Sequence, residues 1–176
     1  MKICILSDSH DNRFLLKSAI TEACEMGAEA ILHCGDVVAP STFNLVKDTL
    51  IPIHVIHGNN TGDLYTMTQF SANPDSNILY HGQDATIELA NRKIFMVHYP
   101  HYAEGIALTG KWDIVCCGHS HRSKISTVTN ILGTQTLILN PGTVGGVGEM
   151  PRYFICDLTN LTVEQYQLPL PEGVSI

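Results

Sequence analysis

Short apolar runs alternate with helix-like stretches over the first third of the chain. Three of these runs have the length of a strand, namely Lys2 to Leu6, Ala30 to Cys34 and Ile53 to His57. Apolar residues recur at helical spacing from Asn12 to Met26, and a proline near its start favours a second helix over Pro40 to Asp48. Because two strand-helix-strand units follow each other, the pattern predicts a parallel sheet with right-handed crossovers.

The hydrophobic pattern changes after Gly82. Apolar and polar residues alternate from Ala85 to Leu89, a turn-like stretch follows, and Ile94 to His98 is again apolar, which is typical of a hairpin. Five further strand-like runs then come with few helices between them: Ile114 to Cys117, Ile125 to Thr129, Thr136 to Leu139, Tyr153 to Asp157 and Thr162 to Gln167. We therefore expect a strand-rich second half that forms a second sheet and packs on the first.

The length of 176 residues predicts a single domain over 1–176, with a loosely held tail at 169–176. Hydrophobic residues make up 44% of the chain and charged residues 15%, which excludes intrinsic disorder. Ten Lys and Arg against 17 Asp and Glu give a net charge of -7, the wrong sign for a protein that binds nucleic acid through its phosphates. We therefore expect no nucleic-acid partner.

The compartment is predicted from the apolar runs and the cysteines. No run of 18 apolar residues occurs, and Asp8 interrupts the N-terminal run before the apolar core of a signal peptide could form. The six cysteines lie mostly inside apolar runs and form no CxxC pair, which favours free thiols in a reducing compartment. These features predict a cytoplasmic protein without a membrane span.

Residues that can bind metal ions follow five of the apolar runs. In an open parallel sheet, ligands bind beyond the carboxyl ends of the strands, so residues distant in sequence converge there. The seven candidates are Asp8, His10, Asp36, Asn59, His98, His119 and His121. Nitrogen and oxygen donors without thiolate suit Mn, Fe, Zn or Ni. Seven donors exceed the needs of one ion and suit two ions about 3.5–4 Å apart with one carboxylate shared between them.

The order D-x-H, G-D, G-N, a lone His after a strand and G-H-x-H resembles the calcineurin-like metallophosphoesterases over nearly the whole chain. The block from Trp112 to His121, the run Leu139 to Thr143 and the pair Pro151-Arg152 resemble the small single-domain phosphodiesterases of bacteria and archaea. This resemblance implies an α/β fold of two facing mixed β-sheets flanked by helices, a four-layer α/β/β/α sandwich.

The resemblance also implies a ligand set and a reaction. One metal ion is expected on Asp8, His10, Asp36 and His121, and the other on Asp36, Asn59, His98 and His119. Mn is the first choice, with Fe, Zn or Ni as alternatives. The implied enzyme is a phosphodiesterase that hydrolyses a small phosphoester by in-line attack of a metal-bridging hydroxide, with Asp36 and Asn59 as catalytic residues. Because imidazole must be unprotonated to bind a metal, we expect activity to fall below about pH 6.5.

Two departures from the superfamily pattern leave alternatives open. Much of the superfamily continues G-N with a histidine and an acid, but here Asn60 and Thr61 follow, and Asn cannot act as a general acid. The usual T-H-G-H block reads V-H-Y-P-H over 97–101, and His101 at its end is the candidate for substrate contact or leaving-group protonation. The missing histidine favours diesters over a phosphomonoesterase or nucleotidase. The third reading is a non-catalytic binding protein, like the retromer subunit that shares this fold. The family often forms homo-oligomers, so this protein is a candidate for one.

The remaining candidates have readings without a role in metal binding. His33, His54 and His57 lie in or beside strands, where a hydrogen-bonded core histidine is the more common occurrence. The glycine-rich stretch 142–148 does not match either phosphate-loop pattern, and Pro151 follows where a helix would have to continue. We read that stretch as a turn that closes near the site.

Overall fold

The computed structural model of the protein describes residues 1–170. The strands of this part of the chain are β1 Lys2–Leu6, β2 Ala28–His33, β3 Ile53–Val55, β4 Ile78–Tyr80, β5 Asp84–Leu89, β6 Arg92–Val97, β7 Ile114–Cys116, β8 Ser123–Thr129, β9 Gln135–Pro141, β10 Arg152–Asp157 and β11 Thr162–Gln167. The helices are α1 Arg13–Glu25, α2 Leu64–Ala72, α3 Pro100–Ala107 and a 3-10 helix at Pro40–Leu45.

The strands form two mixed sheets. The first has the order β11-β10-β1-β2-β3-β4, in which β1 to β4 run parallel and β10 and β11 are antiparallel additions. The second has the order β5-β6-β7-β9-β8, with β6, β7 and β9 parallel and antiparallel strands at both edges. The expected fold class of two mixed β-sheets flanked by helices is confirmed.

Alternation along the strands builds the layers. In β1, Ile3 and Ile5 are buried between the two sheets, whereas Cys4 and Leu6 belong to the cluster beneath α1 and the 3-10 helix. This is the period of two that a strand with both faces covered requires. A third apolar cluster, which includes Ala103 of α3, covers the outer face of the second sheet. The central strands of each sheet are therefore buried on both faces.

The predicted helix at Pro40 to Asp48 is wrong in type and length, because the structure has a 3-10 helix that ends at Leu45. Ser, Thr and Asn in this stretch are poor helix formers. Thr42 also donates its hydroxyl to Asp11 Oδ1 at 2.7 Å, so its side chain binds a neighbouring loop. The run predicted as a strand to His57 ends at Val55.

Three elements were not predicted from the sequence: α2, β4 and α3. The two helices each have a sequence signal at their start. The carboxylate of Asp63 caps α2 by accepting from Thr66 N at 3.0 Å, and Pro100 occupies the first position of α3. The strand β4 has only three residues and extends the parallel sheet beside β3. Short length explains why hydrophobic periodicity alone missed these elements.

The expected loose tail at 169–176 lies mostly outside the described residues, since 171–176 are not among them. Pro169 and Leu170 belong to no helix or strand. Within the described part of the chain, no helix combines the length and the apolar composition that crossing a membrane requires.

Phe154 tests the packing between the two sheets, since its side chain is fully buried there. We expect Phe154→Ala to lower the free energy of unfolding by about 3–5 kcal/mol, through lost burial and the cavity left behind. Phe14→Ala is the matched control, because Phe14 on α1 is 68% exposed, and it should change stability by less than about 0.5 kcal/mol. Urea unfolding at equal protein concentration measures both, and similar losses for the two variants would contradict this packing.

Candidate metal centre

The seven candidate ligands lie together at one edge of the molecule, on the loops that follow strands of both sheets. Contacts shorter than 4 Å link all of them: Asp8, His10, Asp36, Asn59, His98, His119 and His121. The first three follow β1 and β2, Asn59 follows β3, His98 follows β6, and the last two follow β7. Residues up to 113 positions apart in sequence (8 to 121) therefore meet in one site.

One half of the site surrounds Asp8. The Nε2 atoms of His10 and His121 lie 3.8 Å and 3.3 Å from Asp8 Oδ1, and 3.1 Å from each other. His10 Nε2 also lies 3.7 Å from Asp36 Oδ2. One ligand atom each of Asp8, His10 and His121 lies within 4.8 Å of the other two, which is close enough for the three residues to bind one ion.

The other half of the site surrounds the second oxygen of Asp36. His98 Nε2 lies 3.4 Å from Asp36 Oδ1 and 3.1 Å from Asn59 Oδ1, and His119 Nδ1 lies 2.8 Å from the same Asn59 oxygen. The two oxygens of Asp36 thus face the two halves of the site. That is the arrangement in which one carboxylate is shared between two ions.

Backbone carbonyls fix the orientation of two of the imidazoles. His98 Nδ1 lies 2.8 Å from the carbonyl oxygen of Cys34, and His121 Nδ1 lies 2.8 Å from that of Val147. A carbonyl can only accept, so each Nδ1 carries the hydrogen and donates it. In the neutral ring, the Nε2 lone pair is then left for a metal, as is usual for metal-binding histidines.

Burial of the two carboxylates sets the electrostatics of the site. Asp8 is 0% and Asp36 1% exposed. Asp8 Oδ2 accepts from His119 N at 2.9 Å, but the buried Asp8 Oδ1 has no hydrogen-bond partner among residues 1–170. Burying a charged oxygen without a partner is costly, and a divalent cation beside it offsets that cost. The orphaned oxygen and the surrounding nitrogens therefore fit a metal ion.

Neighbouring groups in the site shift the pKa values of Asp36, His10 and His98. Burial would raise the pKa of Asp36, but hydrogen bonds from His98 and Asn60 outweigh it and hold that pKa well below its usual range. The carboxylate of Asp8 raises the pKa of His10 above 6.5 against the effect of burial. Burial likewise lowers the pKa of His98, and its bonds to Asp36 and Cys34 raise it by more. The Asp36 carboxylate thus stays ionised and attracts positive charge.

Five of the seven candidates occupy the left-handed region of backbone space, which is uncommon for residues other than glycine. They are Asp8, His10, Asp36, His119 and His121, with φ between 43° and 67°. Such conformations persist where the surrounding structure enforces them, and they cluster at functional sites. Here Asp8 N donates to Gly35 O and His10 N to Asp36 O, both at 3.0 Å, which joins the loops after β1 and β2.

Two glycines allow the ligand loops to approach each other. A Cβ atom on Gly58 would overlap Asp36 Oδ1 and stand 2.7 Å from His98 Nε2. A Cβ atom on Gly118 would overlap Ser7 Oγ and stand 2.6 Å from Asp8 Oδ2. The glycines that precede Asn59 and His119 in the G-N and G-H motifs are therefore needed for space.

Several residues that support the site were missed or only partly read from the sequence. Asn60, read as a departure from the superfamily, donates from its backbone and side chain to Asp36 at 2.8 Å and 2.6 Å. Thr143 donates its hydroxyl to the carbonyl of Asp8 at 2.8 Å. Gly145 N also donates to Asp8 O, at 3.1 Å, so the stretch 142–148 lies against the site as expected. No periodic signal points to such loop contacts.

His101 is not joined directly to the cluster by any hydrogen bond of the described residues. Its ring is exposed and lies 4.2 Å from that of Tyr102 and 5.6 Å from that of Tyr99, centroid to centroid. Tyr99 in turn contacts His119, at 4.8 Å between ring centroids. His101 is thus one aromatic ring removed from the candidate ligands.

Comparisons with known proteins agree with this fold. The profile of the calcineurin-like phosphoesterase superfamily domain matches residues 1–161. Phosphodiesterase MJ0936 of Methanocaldococcus jannaschii is 28% identical over 145 residues, which cover 81% of this chain and 83% of that protein. A solved archaeal phosphodiesterase superposes with a TM-score of 0.83 at 25% identity, over 96% of this chain and 100% of that one.

More distant structures share the fold alone. The phosphoesterase YfcE from E. coli has a TM-score of 0.65 at 15% identity, over 94% of this chain and 98% of that one. Vps29 from Entamoeba histolytica, solved in complex with zinc, has a TM-score of 0.63 at 16% identity, over 96% and 98%.

The family match covers most of the chain, and the two mixed sheets have the architecture of a solved archaeal phosphodiesterase. The chain belongs to the calcineurin-like phosphoesterase superfamily. Within that superfamily it is a metal-dependent phosphoesterase.

Gly58 tests the close packing of the site without touching any candidate ligand chemically. We expect Gly58→Ala to weaken Mn²⁺ binding at least tenfold, about the effect of disturbing groups that orient ligands, because the added methyl displaces Asp36 and His98. Gly105→Ala is the matched control, since nothing lies within 4 Å of its Cβ, and in α3 it should add up to about 1 kcal/mol of stability. Isothermal titration with Mn²⁺ measures the effect, and unchanged affinity in a folded Gly58→Ala protein would refute it.

Proposed function

We propose that the chain is a dinuclear metal-dependent phosphodiesterase that hydrolyses small phosphoesters by in-line attack of hydroxide on phosphorus. The observation that carries the proposal is the convergence of seven nitrogen and oxygen donors around two buried carboxylates, one of which has an unpartnered oxygen. When bound, two divalent cations supply hydroxide near neutral pH and neutralise charge on the phosphate oxygens.

The assignment of residues to the two ions follows the two halves of the site. Asp8, His10, Asp36 and His121 would hold one ion, and Asp36, Asn59, His98 and His119 the other. The division is supported by Asp36, whose Oδ2 faces His10 at 3.7 Å and whose Oδ1 faces His98 at 3.4 Å. Asp36 would therefore bridge the ions, and it counts with Asn59 as catalytic.

The donor chemistry supports Mn as the first choice of metal, with Fe, Zn or Ni as alternatives. All seven donors are nitrogen or oxygen atoms, which suits this group of metals. Cys34 lies close by, but burial raises its pKa well above the ordinary value and keeps it a thiol. A thiolate ligand, which would favour a softer metal, is thus not offered by this cysteine.

A phosphodiester is favoured over a phosphomonoester by the contacts of Asn60. Both the backbone N–H and the side-chain amide of Asn60 donate to the Asp36 carboxylate, so this residue orients a ligand and offers no proton to a leaving group. An enzyme without a general acid there is best suited to esters with good leaving groups. The similarity to two archaeal phosphodiesterases supports the same choice.

The role of His101 in leaving-group protonation stays a prediction. The side chain is exposed, and Tyr99 lies between its ring and that of His119. This position favours substrate contact at the rim of the site over proton transfer at the reacting phosphorus.

The two alternative functions have less support than the phosphodiesterase. A phosphomonoesterase or nucleotidase lacks an acid at Asn60. A non-catalytic binding protein with the fold of Vps29 gives no reason for the clustering of seven donors and the left-handed backbone at five of them. The cytoplasmic location and the homo-oligomer also stay predictions, and the location is supported by six free cysteines.

The proposal is tested by hydrolysis of an aryl phosphodiester beside the matching aryl phosphomonoester, with metal-stripped protein reconstituted with Mn²⁺, Fe²⁺, Zn²⁺ or Ni²⁺. We expect diester turnover only with metal, and fastest with Mn²⁺. Asp36→Asn should lower kcat at least about 10³-fold, because it removes the shared charge while keeping the shape of the side chain.

Asp63→Asn is the control for that substitution, because the Asp63 carboxylate caps α2 through Thr66 and bonds no candidate ligand in the described part of the chain, and Asn caps helices equally well. It should keep full activity. Metal-independent turnover, or a faster rate on the monoester, would refute the proposed chemistry or its substrate class. Two bound metal ions without turnover of either ester would favour the binding-protein reading.

The pH dependence of metal binding follows from the imidazoles. The pKa values of His10 and His98 are raised above 6.5 by neighbouring carboxylates, so protons compete with metal from near neutral pH downwards. Metal affinity should therefore be highest above these pKa values and fall as the pH drops through them, with activity lost below about pH 6.5. Mn²⁺ titrations from pH 8 to pH 5 measure this, and undiminished metal-dependent turnover at pH 5 would count against four histidine ligands.

A further inference from the structure

His33, the last residue of β2, is a fully buried histidine that the sequence alone marks only as a core residue. Its Nε2 lies 3.0 Å from Ser9 Oγ, and its Nδ1 accepts from Gly35 N at 3.3 Å. Ser9 stands between the candidate ligands Asp8 and His10, and Gly35 directly precedes Asp36. One imidazole therefore joins the two loops that carry three of the ligands.

The hydrogen-bond pattern fixes the tautomer of His33. A backbone N–H can only donate, so Nδ1 is unprotonated, and Nε2 carries the hydrogen and donates it to Ser9 Oγ. Burial lowers the pKa of this group to about 4, in agreement with a neutral ring near pH 7. The ring also packs edge-on against Phe43, 6.2 Å away between ring centroids. Its position is thus held from three sides.

The loops that His33 joins have strained backbones. Asp8, His10 and Asp36 have φ of 54°, 43° and 56°. Such positive values are unfavourable for these residues and persist only where contacts with the surrounding structure enforce them. The backbone bonds between the loops hold residues 8 and 10 but not the amide of Gly35 or the side chain of Ser9. His33 supplies the partner for both of these groups.

We infer that His33 is a positioning residue for the metal centre, which acts through Ser9 and Gly35 to hold Asp8, His10 and Asp36 in place for the ion they share. The inference rests on the proposed function, since it presumes that these residues bind metal. It goes beyond that proposal because His33 touches neither ion nor substrate. A histidine serving only the core would affect stability and leave metal affinity unchanged in the folded protein.

The test is Mn²⁺ binding to the full chain by isothermal titration, with the melting temperature of each variant recorded. His33→Leu, which removes both hydrogen bonds, should weaken at least one Mn²⁺ binding constant about tenfold. His33→Gln should recover most of the affinity, because its amide nitrogen can still donate to Ser9. Ser9→Ala should weaken binding by a similar factor, and the double variant should be little worse than either single one.

His54→Leu is the matched control. His54 is a histidine of the adjacent strand β3 whose Nδ1 lies 2.9 Å from His81 Nε2, away from the ligand loops. It should lower the melting temperature without changing Mn²⁺ affinity. If His33→Leu does not fold, Ser9→Ala with its smaller change of volume carries the test.

The inference would be overturned if folded His33→Leu or Ser9→Ala bound Mn²⁺ within twofold of the wild-type constants. It would also be overturned if His54→Leu weakened binding as much as His33→Leu. A wild-type protein that bound no Mn²⁺ and hydrolysed no diester would instead refute the proposed function. The two failures are therefore distinguishable.

Discussion

Two carboxylates are buried at the edge where the sheets meet, and much of the local structure can be understood from the need to keep them charged there. Asp8 and Asp36 are almost fully excluded from solvent. Removing such groups from water is unfavourable unless positive charge or hydrogen bonds replace the lost hydration. Asn60 and His119 supply hydrogen bonds, and the imidazoles of His10, His98 and His121 lie within 4 Å of the carboxylate oxygens.

The fold meets this constraint by bringing loops of both sheets to one edge. Parallel strands end on the same side, so β1, β2 and β3 place their following residues together, and β6 and β7 do the same from the second sheet. The apolar layer between the sheets holds the two sets of strand ends beside each other. Damage to that layer would therefore disturb the site as well as stability.

Much of the architecture could be predicted from sequence, because it depends on how apolar residues are spaced along the chain. The strands β1 and β2 stand out as apolar runs, and the helix α1 has apolar residues at helical spacing. The elements α2, β4 and α3 could not be found this way, since they are short, and only the two helices have a further signal at their first residues. The 3-10 helix was misread because proline starts either kind of helix.

The candidate ligands could be predicted from the sequence, but the residues that hold them in place could not. Seven ligands share a position after a strand, which is a pattern visible in sequence. The contacts of His33 with Ser9, of Thr143 with Asp8 and of Asn60 with Asp36 follow no spacing, since they depend on how loops fold against each other. The need for Gly58 likewise appears only when the distance to Asp36 is known.

The net charge of the chain adds a last step to the argument about substrate. A protein with a net charge of -7 and an ionised Asp36 in its site repels phosphate esters. On the proposed function, two divalent cations add four positive charges to the site, and the site becomes attractive to an anion only when loaded. Substrate binding would then depend on metal binding, and a singly charged diester would be less repelled by the rest of the surface than a dianionic monoester. The acidic surface thus favours the same substrate class as the contacts of Asn60.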